Sequence, residues 1–320
     1  MYKNKIKEIK SHIVIYTNGL KIKKYKLDRN NSNVKYKVYT TYPTINNDYD
    51  IDTIKDKLSN QLLKYFNIFI NKFPKNYLKT FFKNLSTIDY QEGLDKEGML
   101  RSLLGIITGS GTTEGYYYGY ENKIYVISKK QKKLLTFLTG NNSFSYDEII
   151  NNVLSHELFH AATYMTTDNI MFCGFYQNSG IYDIGNGINE GYTELLARRY
   201  FDKENGYYDD EVIIAALIEE IIGKDKMESL YFYADLKGLI KSLSAYTDES
   251  YVNRFIINFD KYCQKPDDKT LRDIFIFIMD INKNKVLKDS RIKDKEKQIN
   301  EYNEKILSYI KEDNEKVIKR

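Results

Sequence analysis

At 320 residues with 42% hydrophobic and 14% aromatic side chains, the chain is long enough to bury a substantial core and too apolar for a disordered polymer. Its 49 Lys and Arg stand against 44 Asp and Glu, a formal net charge of +5 spread in mixed sign along the sequence, which argues against a nucleic-acid partner. The two cysteines, Cys173 and Cys263, make neither a disulfide framework nor a thiolate metal motif and read as buried small hydrophobes.

The basic N-terminus leads into strand-like alternation with no apolar leader core, and the longest apolar runs, at 212 to 218 and 274 to 279, fall far short of a bilayer span. A cytoplasmic monomer without a membrane span is expected, with non-classical export as the other route. "HIVIYT", "LKIKKYKL" and "VKYKVYT", between 12 and 42, alternate apolar and polar residues and predict an antiparallel sheet. Ile51, Ile54, Leu58, Leu62, Phe66 and Phe69 recur at helical spacing over 51 to 72, and Pro74 opens a shorter helical stretch, "KNYLKTFF". The aspartates of "DYDID", 48 to 52, lack the glycine and glutamate of a calcium loop and read as a helix N-terminus. "LSTIDY", 85 to 90, alternates like a strand, and 109 to 128 joins a glycine-rich loop to two runs rich in Tyr, Ile and Val.

Beyond 145 the periodicity is almost entirely helical. Ser145 can cap a helix from Tyr146 to about Met165, with Asp147 and Glu148 in its first turn. Asn186 or Asn189 starts another that runs to about Asp202, and further helices are expected near 209 to 222, 226 to 244, 248 to 263 and 268 to 282. The charged segment 283 to 320 places Ile292, Ile299 and Ile306 seven apart, a pattern for a solvated helix docked on the body.

The chemistry concentrates in "SHELFH". The chain holds three histidines, and His156 and His160 occupy this one motif with Glu157 between them. On a helix, positions four apart project the same way, so two imidazoles can reach one tetrahedral cation. Zinc lowers the pKa of a bound water to about 7, and a neighbouring carboxylate, here Glu157, can take its proton as the water attacks a carbonyl. Ile149, Ile150, Val153, Leu154, Leu158 and Phe159 give this helix an apolar body on which two histidines would be costly without partners. A hydrogen-bonded pair of core histidines is the competing reading. A third ligand is required, and the helix "GNGINEGYTELLARRYF" offers Glu190 and Glu194, four apart on one face.

These two segments together resemble the gluzincin metallopeptidases of the thermolysin-like kind, in which HExxH is followed by a helix reading Asn-Glu-x-x-Ser/Thr-Asp/Glu. Here the parts stand as "HELFH" at 156 to 160 and "NEGYTE" at 189 to 194, and the resemblance covers roughly 145 to 203. It implies an α+β, zincin-like fold: a mixed sheet-and-helix N-terminal half ending in the active-site helix, then an all-helical C-terminal half. It implies Zn2+ held by His156, His160 and Glu190, with Glu157 as catalytic base and a peptide or protein as substrate. Glu194 would then accept a hydrogen bond from the non-ligating nitrogen of His156, with Asn189 and Thr193 in support. The division that follows is 1–45 as N-terminal strands, 46–282 as the metallopeptidase domain (catalytic core 109–205, helical lobe 206–282) and 283–320 as the charged helix.

For the donor to the developing oxyanion a tyrosine is expected, and Tyr182 in "SGIYDIGNG" is the first choice, ahead of Tyr192, Tyr246 and Tyr251. The segment "GYYYGYENKIYVIS" falls where zincins place an edge strand able to pair with an extended peptide. Arg198 and Arg199 read first as salt-bridge partners and second as binders of a substrate carbonyl or carboxylate. Alternatives are an intracellular regulatory zincin of the ImmA/IrrE type, whose downstream helix "NEGYTELLAR" fits poorly, a zinc hydrolase of non-peptide amides, and a catalytically silent zincin-fold binding protein.

Overall fold

The computed structural model describes residues 12–17, 20–26, 38–39, 49–108, 112–140, 145–167, 169–201, 203 and 208–318. Strands β1 (His12–Thr17) and β2 (Leu20–Lys26) pair antiparallel. The third expected strand lies outside the described residues except for Val38 and Tyr39, which carry no strand; Tyr39 exchanges two backbone hydrogen bonds with the Gln177 side chain. The helix expected over 51 to 72 is two, α1 (Ile51–Lys57) and α2 (Asn60–Lys72), because Ser59 turns its hydroxyl onto the Leu62 amide and starts the helix afresh. Asp50 caps α1, as the "DYDID" reading requires.

Pro74 leads only a turn, and α3 (Lys79–Leu85) begins later. That helix consumes the start of the strand expected at 85 to 90, which forms instead as β3 (Asp89–Glu92). Two helices without a counterpart in the sequence reading, α4 (Lys96–Thr108) and α5 (Lys129–Thr139), flank β4 (Gly115–Tyr118) and β5 (Lys123–Val126). The three strands form one sheet in the order β3-β5-β4, with β3 parallel and β4 antiparallel to β5, so β4 is an edge.

The HExxH helix is α6 (Tyr146–Thr163). The all-helical expectation fails just after it, where β6 (Met165–Thr167), β7 (Ile170–Cys173), β8 (Tyr176–Asn178) and β9 (Asp183–Ile184) form an antiparallel meander. Strands of two to four residues are too short to register a period, and the meander is held by its ladder rather than by an alternating face. Then come α7 (Asn186–Phe201), α8 (Asp209–Ile222), α9 (Lys224–Phe232) and α10 (Leu236–Ser244); the expected helix 226 to 244 is interrupted where Ala234 adopts φ +51°. Helices α11 (Glu249–Gln264), α12 (Asp268–Lys288) and α13 (Lys295–Ile318) complete the chain. Helix α12 runs six residues past its expected end, and Ile292 precedes α13 instead of joining its apolar seam. Ile306 is fully buried and Tyr302 donates to the Leu217 carbonyl at 3.0 Å, so α13 docks on the body as expected.

The described residues are mixed α and β, and mostly helical. One aromatic cluster ties the halves together: Phe159 on α6 meets Phe69 of α2 at 4.7 Å, Phe201 of α7 at 5.8 Å and Phe232 of α9 at 6.3 Å between ring centroids. All of these rings but that of Phe201 are fully buried, and truncation of such a ring typically costs about 3–5 kcal/mol, so the cluster fixes the rotation of α6 about its own axis. Among the described residues no helix is long and apolar enough to cross a membrane.

Candidate metal centre

Helix α6 starts where its sequence says it should. Ser145 accepts the Glu148 amide at 3.2 Å while Glu148 accepts the Ser145 amide at 2.6 Å, a reciprocal pair that satisfies two otherwise orphaned donors. The helix then runs between α3, β4, β5 and α7, so that His156, Glu157 and His160 are all at least nine-tenths buried. Their cost must be met by partners.

The second helix is aimed by contacts from far along the chain. Gly185 makes the turn into α7 at φ +87°, which strongly favours glycine. The amides at the start of the helix are capped from α11: Asp260 accepts the Gly185 N–H at 2.8 Å and the Gly187 N–H at 2.9 Å. Burial pushes the Asp260 carboxyl up to about 7 even against those two donors. A side chain at Gly187 would meet the Phe259 carbonyl at 2.7 Å, so glycine there lets α7 and α11 touch backbone to backbone. The result lays Glu190 and Glu194 against α6.

Both imidazoles turn the same nitrogen inward. His156 Nδ1 lies 3.0 Å from Glu194 Oε2, and His160 Nδ1 lies 3.5 Å from both Cys173 Sγ and Asn189 Nδ2. The two Nε2 atoms are therefore directed at each other, 3.0 Å apart, with Glu190 Oε2 at 3.2 Å from one and 3.6 Å from the other. Ligand atoms bound about 2.05 Å from a tetrahedral zinc lie roughly 3.3 Å from one another. Three convergent donor atoms at that spacing, two nitrogens and a carboxylate oxygen, fit one divalent cation. Each imidazole also has its other nitrogen occupied by a protein partner, which fixes ring orientation.

The ionisation of these groups follows from their crowding. Burial disfavours the charged form of His156, but hydrogen bonds to Glu190 and Glu194 outweigh it and raise its pKa; in His160 the Glu190 carboxylate and Cys173 outweigh burial and raise it well above the ordinary range. Burial opposes ionisation of Glu190 and Glu194 too, yet the histidines, and Lys203 for Glu194, hold both below the usual carboxylate range. Without a cation the raised histidines add stability that is complete below about pH 6.5 and is lost as pH rises through their folded values, while the two glutamates add stability present above about pH 4.3 and lost as pH falls. A cation needs the lone pairs that these protons occupy. Zinc uptake at neutral pH is therefore expected to release about one or two protons per site, measured by calorimetric titration in buffers of different ionisation enthalpy. Uptake without proton release would show that both imidazoles are already neutral at that pH and would overturn this account of their ionisation.

Glu157 stands outside this triangle. Its Oε2 accepts the Tyr117 amide N–H at 2.8 Å, a donor on β4, which is an edge strand among the described residues. The carboxylate is thus oriented by the strand.

A second tyrosine joins Tyr182 as a candidate beside the site. Tyr182 is half-buried at the margin of the core, whereas the ring stacked on His156, at 5.8 Å and 24°, belongs to Tyr208. Tyr208 precedes α8 at φ +65°, a strained conformation for a bulky residue, and the Glu190 carboxylate raises the pKa of its phenol and keeps it protonated. Two of the reserve choices are committed elsewhere: Tyr192 is fully buried and donates to Glu219 at 2.7 Å, and Tyr251 donates to Asp280 at 3.1 Å. Tyr246 packs half-buried against the core.

Arg198 links Glu194 to Asp209 and Arg199 pairs with Glu219, so both take the salt-bridge role. Asn189 accepts the Phe175 amide at 3.0 Å and so ties α7 to the meander beneath His160, and the Thr193 hydroxyl bonds that of Tyr231 at 2.7 Å. The sequence reading missed Lys203, whose side chain is 4% exposed and whose ammonium lies 2.8 Å from Glu194 Oε2, and it missed the contact of Cys173 with His160. Neither has a local signal, since each reaches the site through tertiary packing. No protein family, curated protein or solved structure matches this chain.

Proposed function

We propose that this protein is a zinc-dependent metallopeptidase with a zincin-like arrangement of α6, α7 and the edge strand β4. The observation that carries the reading is the triangle of His156 Nε2, His160 Nε2 and Glu190 Oε2 at 3.0, 3.2 and 3.6 Å, with a separately oriented carboxylate, Glu157, one residue from a ligand. Zinc held there would supply Lewis-acid polarisation of a carbonyl and a lowered pKa for water.

The chain's own residues account for the rest. Glu157 accepts the proton of the attacking water and passes it to the amine nitrogen as the C–N bond breaks, and its hydrogen bond from Tyr117 keeps it aimed during both transfers. Tyr208, protonated and stacked beside the triangle, replaces Tyr182 as the donor to the developing oxyanion. An extended peptide can add to β4, the edge strand beside α6, past the Tyr117 N–H that Glu157 occupies. Glu194, buried among His156, Arg198 and Lys203, holds the ligand imidazole in one tautomer.

The test couples metal to turnover. Protein purified without added metal is expected to carry one zinc per chain by elemental analysis and to cleave an unfolded protein; a chelator removes both, and added zinc restores both. Zinc without cleavage across a broad peptide library would favour the silent binding protein, and absence of zinc even when offered would remove the reading.

A further inference from the structure

Helix α4 is turned inside out relative to an ordinary surface helix. Alternation along β4 points Gly115 at Val153 of α6 and Tyr116 at Gly98 of α4, so α4 covers the sheet face opposite the HExxH helix. It buries its small residues, Gly98, Ser102 and Gly105, and the Tyr116 ring would lie 2.8 Å from any side chain at Gly98. Outward it carries Leu100, Leu103, Leu104 and Ile107, exposed by 55, 36, 49 and 79% at the i, i+3, i+4, i+7 spacing of one helical stripe.

The neighbouring α5, in contact with α4, buries Leu135 and exposes Leu134, Phe137 and Leu138 by 47, 85 and 47%. These seven side chains are half of the fourteen large apolar residues exposed among the described residues, which marks a concentrated patch and not ordinary scatter.

Charge selects the occupant. From Ile127 to Tyr146 the sequence holds Lys129, Lys130, Lys132 and Lys133 and no Asp or Glu, and Lys129, Lys130 and Lys133 are exposed on α5, the last two one turn before Leu134 and Phe137. Leucine and phenylalanine at the acyl boundary with lysines at headgroup level is the chemistry of an interfacial helix on an anionic bilayer. We propose that α4 and α5 form a peripheral docking face for an anionic lipid surface. The face uses none of the metal-centre residues and stands whether or not the chain is a peptidase.

The full chain is expected to cosediment with phosphatidylcholine vesicles that contain phosphatidylserine, and far less with phosphatidylcholine alone. Replacing Lys130→Gln and Lys133→Gln together weakens binding roughly thirtyfold. Leu104→Gln with Phe137→Gln abolishes it while circular dichroism and zinc content stay unchanged, since both side chains are exposed. Absence of binding to the anionic vesicles overturns the proposal, as do equal binding to both compositions and retained binding in the Leu104 and Phe137 pair. Light scattering that finds a dimer dissociated by that same pair assigns the face to a second copy of the chain and overturns it as well.

Discussion

Glu190→Ala is expected to purify without zinc, while Glu194→Ala keeps the metal with affinity lowered by about 10- to 100-fold. The two carboxylates sit one helical turn apart and touch the same histidine, so sequence spacing alone does not separate their roles. Geometry does. Glu190 Oε2 faces both inward nitrogens, and its loss leaves two ligands, too few for a tetrahedral site. Glu194 touches only the outward nitrogen of His156, and its loss frees the ring to turn without removing a ligand.

The two variants differ in a second readout. Glu194 is wholly buried, and its removal takes from Lys203, 4% exposed, the carboxylate 2.8 Å from its ammonium. A cost of about 3 kcal/mol is expected in urea unfolding of the zinc-free protein, against a smaller one for Glu190→Ala. Elemental analysis and unfolding on the same samples give both answers. Full zinc occupancy in Glu190→Ala would sink the ligand assignment.

Glu157→Gln is expected to hold zinc at wild-type stoichiometry and to lose turnover by about 10²- to 10⁴-fold. The amide oxygen of glutamine can still accept the Tyr117 N–H, so the side chain keeps its orientation and loses only its capacity to take a proton. Wild-type turnover in Glu157→Gln, on any peptide the protein cleaves, would dismiss Glu157 as the base. Loss of zinc in the same variant would place Glu157 among the ligands and require a different base.

Much of this arrangement is legible in the sequence because it is local. Ser145 and Glu148 announce the start of α6, helical spacing puts His156 over His160, and the same spacing puts Glu190 over Glu194. What could not be read is carried by tertiary contacts. The β6 to β9 meander has strands too short to show a period, α4 defeats the rule that apolar stripes face inward, and Tyr208 is one of 30 tyrosines with nothing local to distinguish it from Tyr182. Lys203 stands nine residues past Glu194, beyond the end of α7, so helical spacing does not connect them.

The cap that Asp260 places on α7 bears on how this chain can be divided. The acceptor for the Gly185 and Gly187 amides comes from more than seventy residues downstream, so the HExxH region is not a portable module. A fragment cut after α10 would retain every metal-facing side chain and still leave the approach to Glu190 unanchored. Grafting the site into another scaffold, or rebuilding it from split halves, has to carry α11 along with α6 and α7.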